Sequence, residues 1–225
     1  MLRLLILIAL ILGLAKSANA EDPYFPALAF FPKDRDLNEI VVDLKAVHLR
    51  AMKEPSLWML SQRDRDATVY RFLWLATGQH PISLRLERVG EDDLLHVARH
   101  DGPPGLTAGR MDLDRWIKVD ARRARKIIAR LEATRFWTAP AEVKESRGRG
   151  DGDVFLIEGA KDGRYHVIDR AGSTSGDAYR EFGRSLLERA DLPDALRDWD
   201  EYRQRERRRP GYRPAPPETE DDGGP

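Results

Sequence analysis

Strand-like segments fall into two consecutive groups in this chain, and this grouping constrains the fold more than any other feature. Residues 68–75 are apolar almost throughout, as expected for a strand covered on both faces, and residues 81–89 alternate between apolar and polar. Residues 94–100 form a weaker third strand. The other two segments, residues 154–158 and 164–170, flank an Asp-Gly hairpin turn. Consecutive strands with short connections predict antiparallel pairing.

Three segments have the apolar spacing of amphipathic helices. The first covers residues 37–51 with Asp36 as its N-cap, the second covers 121–131 with Asp120 as its N-cap, and the third covers 177–190. Strands that are grouped, and do not alternate with helices, predict an α+β fold. We therefore expect a single domain of about five mostly antiparallel strands and three helices, with the helices on one face of the sheet.

The first 20 residues have the three parts of a secretory signal peptide. Arg3 provides the positive start, residues 4–15 form an uninterrupted apolar run, and residues 18–20 form a small-x-small cleavage site. The run is shorter than the roughly 20 apolar residues that a transmembrane helix needs. We predict cleavage between Ala20 and Glu21, with no stable membrane anchor afterwards.

The remaining chain divides into four parts. Residues 21–35 contain several aromatic residues and prolines and are expected to form an extended lead-in to the domain at residues 36–195. Within the domain, residues 101–115 contain the stretch Gly102-Pro103-Pro104-Gly105 and are predicted to be a loop. From residue 198 the apolar pattern ends, so 198–225 is predicted to be a disordered tail whose deletion leaves the melting temperature unchanged.

The composition excludes several classes of protein. The chain has no cysteine, which rules out a disulfide scaffold, a thiolate metal site, a catalytic thiol and lipid attachment at a lipoprotein cysteine. Its 38 basic residues balance 38 acidic ones, which argues against nucleic acid as a partner. An exported chain of this kind is expected in the periplasm, with secretion as the alternative.

Four residues are candidates for a catalytic site: His166, Arg71, Glu158 and Arg170. His166 and Arg71 each have a structural alternative. Arg71 lies within an apolar strand, where a buried guanidinium needs a carboxylate such as Glu158 or Asp169. Alternatively, Arg71 lies at a sheet edge and its head reaches water. His166 can meet Arg170, but an odd separation along a strand places His166 and Asp169 on opposite faces. A half-buried histidine is more often structural than catalytic.

The sequence predicts neither a cofactor nor a metal. His96 and His100 share one face of a strand, but at ~3.3 Å per residue they lie about 13 Å apart, too far for one ion. Residues 151–153 (Asp-Gly-Asp) match only a fragment of a calcium loop.

The hairpin sequence resembles a family of uncharacterised exported bacterial proteins. The residues that carry the resemblance are Glu158-Gly159, the block Gly163-Arg164-Tyr165-His166-Val167-Ile168-Asp169-Arg170, and Phe136-Trp137 upstream. The chain departs from that pattern where Ala171-Gly172-Ser173 replaces Trp-Ser-Pro and where Ala76 replaces a proline. The resemblance implies the fold and export, and it implies no activity.

These observations favour a non-catalytic periplasmic module that binds an unknown protein or a component of the cell envelope. The alternative is a small hydrolase-like enzyme that uses His166 with Arg71, Arg85 or Glu158 in a cleft on the sheet. Convergence of His166, an arginine and a carboxylate in an open pocket would favour the enzyme.

Overall fold

The computed structural model describes residues 22–141, 154–171 and 177–208. Its helices are α1 (Arg35–Ala51), α2 (Leu57–Arg63), α3 (Ala121–Glu132), α4 (Asp177–Arg189) and α5 (Pro193–Arg208), with a 3-10 helix at Phe136–Thr138. Its strands are β1 (Thr68–Leu75), β2 (Ile82–Val89), β3 (Asp92–His100), β4 (Met111–Val119), β5 (Val154–Lys161) and β6 (Arg164–Ala171). These strands form one antiparallel sheet in the order β4-β3-β2-β1-β5-β6. The α+β class is as predicted, with more strands and helices than expected.

Helices cover both faces of the sheet, so the expectation of helices on one face is wrong. Alternate residues of the central strand β1 enter two different cores. Tyr70, Phe72 and Trp74 pack with α3, α4 and α5 in the larger core. Leu73 and Leu75 pack with α1 and the N-terminal lead-in in the second core. The uninterrupted apolar sequence of β1 reflects this burial on both faces, because neither side of the strand meets water.

The loop predicted at 101–115 is shorter than expected, because β4 begins at Met111. On β4, Leu113, Ile117 and Val119 pack in the larger core, and the alternate residues Asp112, Asp114, Trp116 and Lys118 are exposed. The strand therefore has the period of two that a half-buried edge strand requires. Its many charged residues obscured that period in the sequence.

The tail predicted from residue 198 begins too early. Helix α5 continues to Arg208, and Trp199 is only 2% exposed. The Trp199 ring contacts Phe72, Trp74 and Phe155 at centroid distances of 5.5, 5.1 and 5.8 Å. Deletion from residue 198 is thus expected to destabilise the domain. Residues 209–225 lie outside the described residues.

The hairpin of β5 and β6 has the predicted turn. Asp162 and Gly163 have φ values of 54° and 70°, the two positive values of a type I′ turn. On β5, Gly159 leaves room for two aromatic rings, since an added Cβ would lie 2.8 Å from Phe136 and 3.2 Å from Trp137. Two parts of the resemblance, Phe136-Trp137 and Gly159, are therefore in close contact.

The lead-in packs against the second core through buried aromatic rings, which belong to Tyr24, Phe25, Phe30 and Phe31. Asn38 holds the end of the lead-in, because its Oδ1 accepts hydrogen bonds from the backbone N–H groups of Phe30 and Phe31. The N-cap of α1 is Asp34, which accepts from the N–H of Leu37 at 3.0 Å; the prediction of Asp36 is wrong by two residues. Asp120 caps α3 as predicted.

No helix within the three described ranges combines the length and the apolar character needed to span a membrane. The predicted cleavage residues Ala20 and Glu21 lie outside those ranges.

Candidate functional site

A line of polar side chains crosses five of the six strands on the face that α1 and α2 cover. Arg71 on β1 lies opposite Glu158 of β5 on one side and opposite Arg85 of β2 on the other. Arg85 lies opposite His96 of β3, and His96 lies opposite Trp116 of β4. Directly opposed residues in an antiparallel sheet point to the same face and contact one another. We call these five residues the polar row.

Arg71 is completely buried at the centre of the polar row. Its Nε donates to Oε2 of Glu158 at 2.8 Å, and its Nη2 forms an ion pair with the same oxygen. Its Nη1 donates to the Pro55 carbonyl at 2.7 Å and to the Tyr24 hydroxyl at 3.0 Å. The Tyr165 hydroxyl donates to the other Glu158 oxygen at 2.9 Å. Arg71 therefore has the carboxylate partner that its place in an apolar strand requires.

Arg71, Glu158 and the two tyrosines that bind them form the inner part of the row, and burial is the largest influence on the pKa values of Glu158 and the tyrosines. Burial raises the pKa of Glu158, and the Arg71 guanidinium acts against that rise. Burial also raises the pKa values of Tyr24 and Tyr165 above their ordinary range, so both phenols remain hydrogen-bond donors. The inner row is thus a fixed group of ion pairs and hydrogen bonds without access to water.

Glu54 connects the two arginines to the histidine of the row. It lies in the connection between α1 and α2, just after Lys53, whose φ is 54°. Its Oε2 accepts from Nε of Arg85 at 2.7 Å and from Nη1 of Arg71 at 3.3 Å. Its Oε1 lies 2.6 Å from Nδ1 of His96. Burial acts to raise the pKa of Glu54, but His96, Arg71 and Arg85 outweigh it and lower the pKa to about 2.

His96 lies between two carboxylates. Its Nδ1 contacts Glu54 at 2.6 Å, and its Nε2 lies 2.9 Å from Oδ1 of Asp114. A ring with a carboxylate at each nitrogen is fully satisfied only as the imidazolium, which donates at both positions. Burial acts to lower the pKa of His96, but the bonds to Glu54 and Asp114 outweigh it and raise the pKa. Neither nitrogen remains available for proton transfer to a substrate.

Trp116 is the point at which the polar row reaches the surface. Its ring lies 4.5 Å from the His96 ring, centroid to centroid, with an interplanar angle of 32°. The Arg85 guanidinium lies 5.0 Å from the Trp116 ring centroid, and Arg85 also pairs with Glu87. The indole remains 48% exposed. Two buried cations therefore hold Trp116 in place and leave half of its surface in water.

The strand neighbours of Trp116 on the exposed face of β4 are charged. Asp114, which binds His96, has a side chain that is 47% exposed. On the other side, Lys118 pairs with Asp92 at 2.6 Å. Trp116 is thus an isolated indole between a carboxylate and an ammonium group, each of which is positioned by an ion pair.

The structure separates the predicted catalytic candidates. Arg71 and Glu158 lie together in the polar row, whereas His166 and Arg170 lie on the opposite face of β6. His166 Nε2 is 2.9 Å from the Ala139 carbonyl, and its ring packs edge-on against Phe136. Burial lowers the pKa of His166, so the neutral ring donates to this carbonyl.

Arg170 donates to the backbone carbonyls of Pro140 and Ala141 at 2.8 and 3.0 Å. Asp169, on the face opposite to His166 as predicted, pairs with the buried Lys45 at 3.0 Å. His166 therefore does not converge with Arg71, Arg85 or Glu158, and the arrangement required by the hydrolase hypothesis is not formed.

Two residues of the site were missed in the sequence. Glu54 lies in a connection, where no periodic pattern marks a buried residue. Trp116 lies in β4, where the alternation of residues 111–119 could have identified both the strand and its outward face. Within the described parts of the chain, no group of three or more potential ligands is arranged to hold a metal ion.

Comparison of the chain with protein-family models, with curated proteins and with solved structures found no match. The family resemblance of the hairpin block therefore stays a prediction.

Proposed function

We propose that this chain is a non-catalytic binding module whose ligand is a carbohydrate stacked on Trp116. The observation that carries the proposal is the half-exposed indole, which the buried ion pairs of the polar row hold in a fixed orientation. An aromatic face is electron-rich and attracts the weakly positive C–H groups of a sugar ring. A side chain that is already ordered loses little entropy when the ligand binds.

The neighbours of Trp116 favour a sugar over a protein partner. Successive residues on one strand face are about 6.6 Å apart, which places Asp114 and Lys118 at either rim of a ring stacked on the indole. A carboxylate accepts hydrogen bonds from hydroxyl groups, and an ammonium group donates to them. In a protein–protein interface, an aromatic hot spot lies in a well-packed pocket from which water is excluded. The neighbours of Trp116 on the strand are instead charged and exposed.

Export supports the same assignment. We propose that residues 1–20 are removed as a signal peptide and that the mature chain begins at Glu21 in the periplasm, or outside the cell as the alternative. Either place brings the module into contact with envelope glycans. N-terminal sequencing of the protein from a periplasmic extract tests this, and a chain found only at full length in the membrane would overturn it.

Binding is tested by titrating the purified mature protein with a four-sugar N-acetylglucosamine oligomer and with maltotetraose, and by following indole NMR signals. We expect a dissociation constant of about 0.1–1 mM for one of them, typical of a small contact, with the Trp116 signal shifted. Trp116→Ala should abolish binding without loss of cooperative melting. Ile40→Ala removes another exposed apolar side chain and should bind normally.

Failure of both sugars to shift the Trp116 signal would contradict the carbohydrate assignment. Capture of a periplasmic protein by the wild type and not by Trp116→Ala, without sugar binding, would instead assign the site to a protein partner.

A further inference from the structure

A basic groove lies between α3 and α4, which pack on the face of the sheet opposite to the polar row. It has a volume of about 380 Å³, and α3 lines it with Arg123, Lys126 and Arg130. Arg189 of α4 adds a fourth cation. Glu188, the one acidic residue in the lining, already forms an ion pair with Arg184. The groove therefore carries a net positive charge.

The three cations from α3 have no ion-pair partner among the residues that the structure describes. Many other surface arginines are paired: Arg99 with Asp112 at 2.8 Å, for example, and Arg197 with Asp194 at 3.0 Å. In addition, the buried Nε of Arg189 has no hydrogen-bond partner within the described ranges. Like charges along one helix face repel one another, so an anionic occupant would stabilise this arrangement.

We infer that the groove binds the acidic C-terminal segment of this same chain, residues 218–222. That segment (Glu-Thr-Glu-Asp-Asp) has four carboxylates in five residues and is the most acidic stretch of the sequence. This inference is independent of the carbohydrate site and goes beyond it. Because attachment to the domain gives the segment an effective concentration in the millimolar range, even weak ion pairs can hold it.

The spacing of charges in the segment matches the groove. Arg123 and Arg130 are seven residues apart on α3, which corresponds to about 10 Å along the helix axis. In an extended chain, Glu218, Glu220 and Asp222 would share one side and span about 13 Å. Three carboxylates can thus meet three cations without bending the segment.

The length of chain between the domain and the segment is sufficient. Helices α4 and α5 are joined by three residues and run antiparallel, with Arg184 paired to Asp200 at 3.1 Å. The end of α5 at Arg208 is therefore about 12 Å along the axis beyond that ion pair, toward the start of α4. The nine residues 209–217 span at most about 30 Å, which is enough to return to the groove.

The absence of cysteine makes a distance measurement direct, because introduced thiols are the only labelling sites. Ser185→Cys places one spin label in the groove, and Thr219→Cys places the other in the acidic segment. In about 20 mM salt, where screening is weak, we expect a population of label distances below about 25 Å. About 500 mM salt should remove most of it.

A matched pair of charge variants identifies the surface involved. Arg123→Gln/Lys126→Gln removes two cations from the groove, and Arg122→Gln/Arg125→Gln removes two from the other flank of α3. The groove variant should reduce the short-distance population at least about threefold, as expected for the loss of two surface ion pairs. The flank variant should leave it unchanged. Equal melting temperatures of both variants would show that the fold is intact.

Short distances that are absent at low salt, or that respond equally to both variants, would overturn the inference. The inference would also be overturned if the groove bound added poly-glutamate while the attached segment stayed distant. The occupant would then be an acidic chain from another molecule.

Discussion

At the scale of single residues, the dominant feature is the complete burial of Arg71 among carboxylates and hydroxyls. Arg71→Met should destabilise the protein by about 3–5 kcal/mol, because Glu158 and Glu54 would then remain buried without their shared cation. Urea denaturation of the wild type and the variant measures this loss. The double variant Arg71→Met/Glu158→Leu should recover part of it, since it removes both charges. A loss below about 1 kcal/mol would indicate that Arg71 reaches water.

Protonated His96 stabilises the folded protein, so stability decreases when the pH is raised far enough to remove its proton. Its pKa is raised in the folded protein, so the stabilisation is complete below the ordinary histidine pKa of about 6.5 and is lost as pH rises through the folded value. The free energy of unfolding of the wild type should therefore fall as the pH rises above about 6.5. His96→Gln should remove this dependence. A parallel decline in both proteins would assign the effect to other groups.

At the scale of elements, packing overrides local preference in α4. Gly183 lies within this helix, where alanine is normally preferred by about 1 kcal/mol. However, a Cβ at Gly183 would lie 2.5 Å from two ring carbons of Phe72, which is completely buried in β1. Gly183→Ala should thus destabilise the protein by about 1–3 kcal/mol, as measured by thermal unfolding. A more stable variant would show that the Phe72 ring can move.

The elements differ in how far the sequence could predict them. The alternation of β2 and the Asp162-Gly163 turn each depend on local rules, and both are present as predicted. Helix α2 has only seven residues, too few for a helical period. In α5 the many charges outweigh the few apolar residues, Ala195, Leu196 and Trp199, that pack in the larger core. In the polar row, the pairing of Arg71 with Glu158 was one of two options. The place of Glu54 depends on a tertiary contact that no local pattern records.

At the scale of the whole molecule, the sheet joins two cores that share β1 and β5. Trp199 belongs to the larger core and Phe30 to the second core, and each is almost completely buried. Because alternate residues of one strand contribute to both cores, neither core can lose its packing while the other keeps it. We therefore expect the domain to unfold as one cooperative unit.

Two variants test this cooperativity from opposite faces. Trp199→Ala and Phe30→Ala should each reduce the free energy of unfolding by about 3–5 kcal/mol, a large part of the 5–15 kcal/mol typical of a domain. Far-ultraviolet circular dichroism and tryptophan fluorescence should then follow one coincident transition in both variants, since β1 connects the two faces. If Phe30→Ala instead produced an early transition in circular dichroism that left most of the tryptophan fluorescence unchanged, the lead-in and α1 would form a layer that detaches independently. In that case the polar row would open while the larger core remained folded, because Tyr24 and Glu54 both come from that layer.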